Sequence, residues 1–403
     1  MKKSLAALAV LGAFAGSSMA ADVTMYGVVD TGLVYSHDKA EASLFGFSAS
    51  EKTDSFGMAS GTNSASRFGV RGTEDLGNGL TVGFKLENGF ESDTGALKTN
   101  GKLFDRESTL SLSGSFGTVY AGRMGTLVSD TGSVGFYGAM ASAFGSGWSD
   151  NIAGHTAVMA NYSSRYNNTL AYVSPEFAGV KVYAQYAMGD TNENKPSNDR
   201  YAALGAEWKA GALDLGVLVD WTNKDSSLDS VEIDGDRIEV KDAWTFNFGG
   251  SYDCGFAKTF LAVQYFKDAR DAGSVATTIM DRVGSVLADN GVTEDELKAL
   301  GSVVNASLAQ TGYGVHVGTS FNALGGDWVA GIGYMDADVD FNAESKVAET
   351  NVYTAALGYQ YNLSKRTKLY TGAGYVKREA DILDALHLEQ QGYDFVAGLV
   401  HKF

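Results

Sequence analysis

The sequence predicts an all-β protein, a sixteen-stranded antiparallel transmembrane β-barrel with short periplasmic turns and long extracellular loops. Three observations lead to this fold class. Glycine is abundant and proline is scarce, with 50 Gly and 2 Pro among 403 residues. Apolar residues recur at every second position, and short turns alternate with long polar stretches. Because proline lacks the N–H that a strand ladder needs, its scarcity suits a chain made mostly of strands.

The composition excludes several other classes of protein. The chain has 31 Lys+Arg against 48 Asp+Glu, so it offers no basic face for nucleic acid. A single cysteine excludes a disulfide framework and a multi-cysteine metal site. The 5 histidines fall in no recognisable catalytic or metal-binding spacing. We therefore expect no metal, no cofactor and no enzymatic activity, and an outer-membrane enzyme stays only as an alternative.

Residues 1–20 have the features of a secretory signal peptide. Lys2 and Lys3 precede an apolar stretch over 5–15, and Ser18-Met19-Ala20 provides a cleavage site of the small-x-small type. The apolar stretch is too short to span a membrane as a helix. Its removal would leave a mature chain over 21–403 and, with the loss of two lysines, change the formal net charge from −17 to −19.

Strand-like alternation runs through the mature chain. Leu80, Val82 and Phe84 alternate with small or polar residues, which places apolar side chains on one face and polar ones on the other. In a membrane the apolar face contacts lipid, and only a closed barrel pairs every backbone group. The same alternation occurs in other segments, among them 213–220, 244–252, 313–321 and 393–403.

The turns between these segments give the number of strands. Seven short turns and eight long polar loops leave sixteen strands of the length that crosses the hydrocarbon layer. The short turns are 76–79, 115–117, 175–179, 209–211, 253–256, 323–326 and 362–366. The long loops are about 37–63, 91–102, 125–164, 189–198, 223–242, 268–311, 336–349 and 378–391.

Aromatic residues near the strand ends are consistent with two interfacial girdles. Tyrosine and tryptophan are also good strand formers, which leaves a simpler explanation open. The residues concerned are Tyr26, Tyr35, Phe84, Phe90, Trp208, Trp221, Trp244, Tyr252, Trp328, Tyr334, Tyr361 and Tyr375.

The sixth long loop, 268–311, departs from the strand pattern. Thr293 and Glu296 form a helix capping box, and Leu297 and Leu300 follow at helical spacing. We expect a helical hairpin here. It is either a packed surface insertion or a lid over the barrel mouth.

Five stretches together resemble one family, the trimeric general porins of Gram-negative bacteria in their β-proteobacterial branch. They occur in the order found in that family, from one end of the mature chain to the other. The stretches are Val23–Asp30, Ser66–Gly77, Gly117–Arg123, Ser174–Gly179 and Tyr361–Thr367.

The resemblance implies a homotrimer in the outer membrane and a third loop, 125–164, that folds inward and narrows the pore. It also implies passive diffusion of ions and small hydrophilic solutes through a water-filled channel. Two alternatives share the fold: a substrate-selective channel, and an adhesin or structural barrel without conductance. We expect lipid and lipopolysaccharide as further partners, with divalent cations bridging the acidic outer loops.

Five basic residues are candidates for the pore lining. Arg67 and Arg71 have the same parity, opposite to the apolar residues of their strand, and Lys85 has lumen parity on the next strand. Three arginines match pore-lining arginines of the family: Arg67, Arg123, and Arg165, which precedes Tyr166-Asn167-Asn168. The resemblance implies that they line the pore. Arg106 shares the parity of Leu110 and Leu112 and is therefore left out.

The acidic side of the constriction is less well marked. Family members place acids on the third loop, and here Asp130 and Asp150 are the candidates. Few acids lie between them, which departs from the family pattern. Many other acids fall in the fifth and seventh loops, beyond about one Debye length, ~8 Å, from a mid-barrel constriction. We therefore expect the arginines to dominate at the constriction and favour anions.

Overall fold

The computed structural model describes residues 21–44, 47–145, 147–152, 154–160, 162–189, 200–223, 231–233, 236–238, 242–269, 293, 310–342, 345–382 and 386–403. The predicted signal peptide lies outside these residues. So do 270–292 and 294–309, which include nearly all of the predicted helical hairpin. Among the described residues, no helix is both long and apolar enough to cross a membrane.

The described part of the chain consists almost entirely of strands. They are β1 (Ala21–Leu44), β2 (Phe47–Ser60), β3 (Arg67–Gly77), β4 (Leu80–Gly89), β5 (Glu107–Gly114), β6 (Gly117–Gly125), β7 (Arg165–Val173), β8 (Val180–Ala187), β9 (Tyr201–Ala210), β10 (Leu213–Thr222), β11 (Val231–Ile233), β12 (Asp236–Ile238), β13 (Ala243–Asp253), β14 (Ala257–Ala269), β15 (Gln310–Ala323), β16 (Gly326–Asn342), β17 (Ser345–Asn362), β18 (Thr367–Ile382) and β19 (Leu386–Lys402). Helical structure is confined to α1 (Tyr137–Ala141) and two 3₁₀ turns, Asp150–Ile152 and Gly154–Val158, within the described residues.

The strands close into a sixteen-position antiparallel barrel. β1 pairs with β19 from Val28 opposite Lys402 to Leu44 opposite Leu386, which joins the two ends of the sheet. The first part of β1, up to Val28, pairs with β3, and the part from Thr31 onward pairs with β2. β2 and β3 therefore occupy one strand position of the barrel between them. β11 and β12 form a separate hairpin. The predicted fold class is confirmed.

All seven predicted short turns fall between paired strands. The turn at 76–79, for example, joins β3 to β4, and the turn at 323–326 joins β15 to β16. Asn78 and Leu324 have positive φ of 53° and 56°, and the adjacent glycines Gly77, Gly79 and Gly325 also have positive φ. Glycine adopts positive φ without strain, so glycines mark these tight turns in the sequence.

Three of the predicted long loops are largely strand. β1 and β2 stay paired as far as Leu44 opposite Phe47, so 37–63 is mostly a hairpin rather than a loop. The same holds for 336–349 and 378–391, where β16 to β19 extend outward. Beyond the hydrocarbon layer both faces of a strand meet water. Polar residues then occupy both faces, and the alternation disappears although backbone pairing continues.

The register separates an outer apolar face from an inner polar one. Gly72, Phe84 and Leu110 lie opposite one another on β3, β4 and β5, and Leu110 is 59% exposed on the outside. The neighbouring row contains Arg71, Lys85 and Thr109. An outside rich in exposed apolar side chains and an inside rich in polar ones is the arrangement of a membrane barrel.

Two rows of aromatic side chains follow the outer face of β15 to β17. Tyr313, Tyr334 and Tyr353 form one row of ring contacts. The other consists of Phe321, Trp328 and Tyr359. Along a strand the rows lie six to eight residues apart, about 20–27 Å. Strands of a membrane barrel tilt by about 35–45°, so this separation corresponds to about 14–22 Å along the membrane normal, less than the apolar band of about 25 Å. The interfacial girdles stay a prediction.

The segment between β6 and β7, residues 126–164, folds into the barrel; we call it the inward loop. Its helix α1 packs on β10, β13 and β14, and its two 3₁₀ turns pack on β15 to β19. Wall glycines allow this close approach. A Cβ on Gly374 would lie 2.1 Å from the carbonyl oxygen of Asn151. The inward loop therefore covers the wall opposite β3 to β7 and leaves the open path beside those strands.

Candidate functional site in the barrel lumen

A cavity of about 790 Å³ lies between the inward loop and the wall formed by β3 to β7. One side is the junction segment Gly61–Ser66, where the wall is interrupted between β2 and β3. The lining carries six basic side chains and four acidic ones. They are Arg67, Lys85, Lys98, Arg106, Arg123 and Arg165, and Glu87, Glu91, Asp105 and Asp130.

Arg67 is the first residue of β3 and follows the junction segment directly. Its Nη1 donates to the carbonyl oxygen of Ala65 at 2.7 Å and lies 3.4 Å from Oγ of Ser64. The bend of the junction segment thus provides the acceptors that hold the guanidinium group. The lumen parity predicted for Arg67 agrees with its position on the cavity wall.

Arg123 reaches the cavity although it has the parity of the lipid-facing Val119. The pairing of β6 with β7 shifts register between Gly122 and Met124. Gly122 has φ 133°, and a Cβ there would lie 2.1 Å from the carbonyl oxygen of Ser108. This bulge turns the end of β6. Arg123 then donates to Asn167 Oδ1 at 2.6 Å and to the carbonyl oxygen of Asp105 at 2.5 Å.

Arg165 is the first residue of β7. Its Nε donates to the carbonyl oxygen of Arg106 at 2.9 Å, and its Nη1 lies 3.3 Å from Oγ of Ser164. Arg67, Arg123 and Arg165 therefore share one property. Within the described part of the chain, their guanidinium groups bond to neutral oxygens and none forms an ion pair with a carboxylate.

Lys85 and Arg106 are, in contrast, neutralised. Lys85 Nζ lies 2.8 Å from Glu107 Oε2 and 3.8 Å from Glu87 Oε2. Arg106 Nε lies 2.7 Å from Glu87 Oε1. Both carboxylates are buried, and Ser133 of the inward loop donates to Glu107. This network ties the wall to the loop.

The remaining candidates lie in different places. Arg71 is exposed, outside the cavity lining, and its guanidinium carbon lies 5.3 Å from the ring centre of Tyr26. Asp130 of the inward loop lines the cavity. Asp150 begins a 3₁₀ turn of the inward loop, and its side chain lies outside the described residues.

Two buried histidines meet where the inward loop touches the far wall. The rings of His155, in the loop, and His316, on β15, have centroids 6.4 Å apart. Neither ring nitrogen of His155 has a hydrogen-bond partner among the described residues. Burial lowers the pKa of His155 to about 4, so the imidazole is neutral at pH 7.

One group in the described residues has donors in a metal-binding arrangement. Ligand atoms of Glu379, His387 and Glu389 lie within 4.8 Å of one another at the outer ends of β18 and β19. Lys377 Nζ already lies 2.6 Å from Glu379 Oε1 and 3.1 Å from Glu389 Oε2. These carboxylates thus have a cationic partner within the chain.

Comparison with known families decides the identity of the fold. The family model described as Gram-negative porin matches residues 7–381. The chain belongs to this porin family. It forms an outer-membrane channel through which solutes diffuse passively, and the porin family is a family of channels rather than of enzymes.

Individual porins support the same assignment. An outer membrane porin protein of Bordetella pertussis is 31% identical, with 96% of this chain and 97% of that protein covered. Outer membrane porin protein 32 of Delftia acidovorans is 29% identical, covering 99% and 95%. An anion-selective porin from Comamonas acidovorans has a similar fold, with a TM-score of 0.62 at 24% identity, covering 95% of this chain and 100% of that one.

Within this porin, three charged residues of the network were missed from the sequence. Arg106 precedes β5, which begins at Glu107, so strand parity does not extend to it. Glu87 and Glu107 lie on the inner face and looked like ordinary polar strand positions. Their signal is cross-strand: they lie directly opposite each other on β4 and β5, where two carboxylates need cations nearby.

Proposed function

We propose that this porin is a homotrimer whose constriction favours anions, with Arg67, Arg123 and Arg165 as the positive side. Lys85 lies on the same wall but is paired with Glu107, Arg71 lies outside the cavity lining, and Asp130 and Asp150 belong to the opposing loop. The observation that carries the proposal is the pairing pattern. The three arginines have neutral partners within the described residues, whereas Lys85, Lys98 and Arg106 have carboxylate partners.

The lining of the cavity carries six basic and four acidic side chains, so basic groups are in excess by two. The carboxylate of Asp105 accepts from the backbone N–H of Gly89 at 2.7 Å and from Thr99, and the residue is 5% exposed. Asp130 is the loop acid that lines the cavity. A narrow path with cationic walls in a low-dielectric surround attracts anions and repels cations. The name of the Comamonas relative, an anion-selective porin, is consistent with this preference.

The test is ion selectivity in planar bilayers. The triple variant Arg67→Gln, Arg123→Gln, Arg165→Gln is compared with the wild type by reversal potential in a KCl gradient. We expect the triple variant to shift strongly toward cations. Arg366→Gln is the matched control because Arg366 is exposed in the short turn between β17 and β18. An unchanged reversal potential in the triple variant would contradict the proposal.

The solute range is proposed to be general rather than specific. Liposome swelling with sugars, amino acids and dicarboxylates separates the two alternatives. In a general porin the permeation rate falls with solute size. In a substrate-selective channel one chemical class permeates faster than its size predicts. Closure in three steps under voltage would support the trimer, and absence of conductance would favour the adhesin or structural barrel.

We also propose contact with lipopolysaccharide through divalent cations at the outer hairpins. Asp338, Glu349 and Asp381 lie directly opposite one another on β16, β17 and β18. Like charges directly opposite one another destabilise a sheet, although Asp381 Oδ1 also lies 2.6 Å from His387 Nδ1. A divalent cation shared with lipid phosphate would relieve that repulsion.

A further inference from the structure

Asp30 on β1 is a buried carboxylate beside the constriction that the function above does not use. It is 0% exposed. Its Oδ2 accepts from the backbone N–H groups of Asn63 at 2.8 Å and Ser64 at 2.6 Å, and its Oδ1 accepts from the hydroxyl of Tyr370 at 2.6 Å. A buried carboxylate with three donors is strongly held, because charge-assisted hydrogen bonds are the stronger kind.

The backbone of Asp30 holds both ends of the junction segment. Gly61 N donates to the carbonyl oxygen of Asp30 at 3.0 Å, and Asp30 N donates to Oγ of Ser66 at 3.1 Å. Together with the side-chain bonds, Asp30 therefore contacts the beginning, middle and end of Gly61–Ser66. Arg67 is the next residue, and the carbonyl that holds its guanidinium belongs to Ala65 in the same segment.

The inward loop meets the same place. Ser149 N donates to the carbonyl oxygen of Thr62 at 3.1 Å. The ring of Trp148 packs edge-on against Tyr370, the residue that donates to Asp30, at a centroid distance of 6.0 Å. Thr62 and Tyr370 are also joined by a hydrogen bond between their hydroxyls. Asp30 thus lies where the junction segment, the wall and the inward loop are joined.

From these contacts we infer that Asp30 is a positioning residue that fixes the location of Arg67 in the constriction and thereby sets the ion preference. This inference rests on the role proposed above for Arg67. Without the Asp30 carboxylate, the N–H groups of Asn63 and Ser64 lose their acceptor and the junction segment relaxes. The acceptor carbonyl of Ala65 then moves, and Arg67 moves with it.

The sign of the effect separates this role from a direct electrostatic one. Removing a negative charge near the path, with nothing displaced, would make the channel more selective for anions. Displacing Arg67 would make it less selective for anions. The variant Asp30→Asn keeps the size of the side chain, so the direction of its reversal-potential shift distinguishes the two.

The experiment compares Asp30→Asn, Arg67→Gln and the double variant in the full-length trimer by reversal potential and single-channel conductance. We expect Asp30→Asn to shift selectivity toward cations, by a large fraction of the Arg67→Gln shift, and to add little in the Arg67→Gln background. Asp220→Asn is the matched control, since Asp220 is a buried carboxylate on β10 that accepts from Thr245 on the adjacent strand β13, outside the cavity lining. It should leave selectivity unchanged.

A shift of Asp30→Asn toward anions, no shift, or an equal shift with and without Arg67 would overturn the inference. An unchanged selectivity in Arg67→Gln itself would instead contradict the proposed function. If Asp30→Asn fails to assemble, Tyr370→Phe removes one donor to the carboxylate and keeps the ring. It should give a smaller shift of the same sign, and a shift of opposite sign would overturn the inference equally.

Discussion

Gly314 on β15 lies against the carbonyl oxygen of Val158 in the inward loop: a Cβ built on the glycine would be 1.8 Å from that oxygen. Real side chains do not come so close, so the loop rests on the wall only because this position has no Cβ. This glycine therefore lets the inward loop pack directly against the far wall of the lumen.

Gly314→Ala is expected to displace the inward loop from the far wall. Overpacking of this kind costs about 1–3 kcal/mol, and moving the loop away from the wall would relieve it. We predict altered single-channel conductance and more frequent closures in bilayer recordings. Gly57→Ala is the control, because a Cβ at Gly57 has no neighbour within 4 Å. Equal conductance in the wild type and Gly314→Ala would show that the loop does not depend on this contact.

Acid is expected to weaken the packing of the inward loop on the far wall, because it protonates the buried imidazole of His155. The docked loop has a His155 pKa of about 4, below the ordinary value of 6.5. Stability from docking is therefore complete above pH 6.5 and is lost as pH falls toward 4, by up to about 3 kcal/mol. The ionisable groups with rings against His155 are His316 and Tyr162, and no carboxylate contacts it among the described residues.

The measurement is channel gating between pH 7 and pH 4. We predict increasing closures or substates in the wild type below pH 6.5, and a weaker response in His155→Gln, whose side chain is polar but does not titrate. A wild-type channel with pH-independent gating over this range would contradict the prediction. So would an unchanged acid response in His155→Gln.

Chelation of divalent cations is expected to destabilise the outer hairpins. Asp338, Glu349 and Asp381 lie opposite one another on three neighbouring strands, and this row is the proposed site of a divalent cation shared with lipid phosphate. In outer-membrane preparations, EDTA should lower the thermal unfolding temperature of the wild type. The variant Asp338→Asn, Glu349→Gln, Asp381→Asn should lose this sensitivity, while Asp75→Asn at a short turn should keep it. An equal EDTA effect in all three proteins would contradict a cation at this row.

The sequence was most informative where the membrane imposes a rule. Lipid on one face and water on the other produce the alternation, and tight turns need glycine or asparagine at positive φ, as at Asn78 and Gly79. Strand number and the seven short turns followed from these two patterns. Where the strands leave the membrane the rule no longer applies, and the outer hairpin after Tyr35 looked like a loop although it is paired.

Predicting the site was less complete because its key contacts are not periodic. Arg67 is readable from parity, but Arg123 reaches the lumen through a bulge at Gly122 that breaks parity. Arg106 lies just outside its strand. Asp30 gains its role from partners 34 and 340 positions away in the chain, Ser64 and Tyr370. Such contacts depend on closure of the barrel and on the path of the inward loop, which no local pattern encodes.

The central claim, an anion-favouring constriction in an acidic protein, is tested most directly by the reversal potential of the wild-type channel in a KCl gradient at neutral pH. Three arginines without carboxylate partners among the described residues predict a potential of the sign given by chloride as the more permeant ion. The formal net charge of −17, taken alone, predicts the opposite sign. A clearly potassium-selective channel would contradict the account.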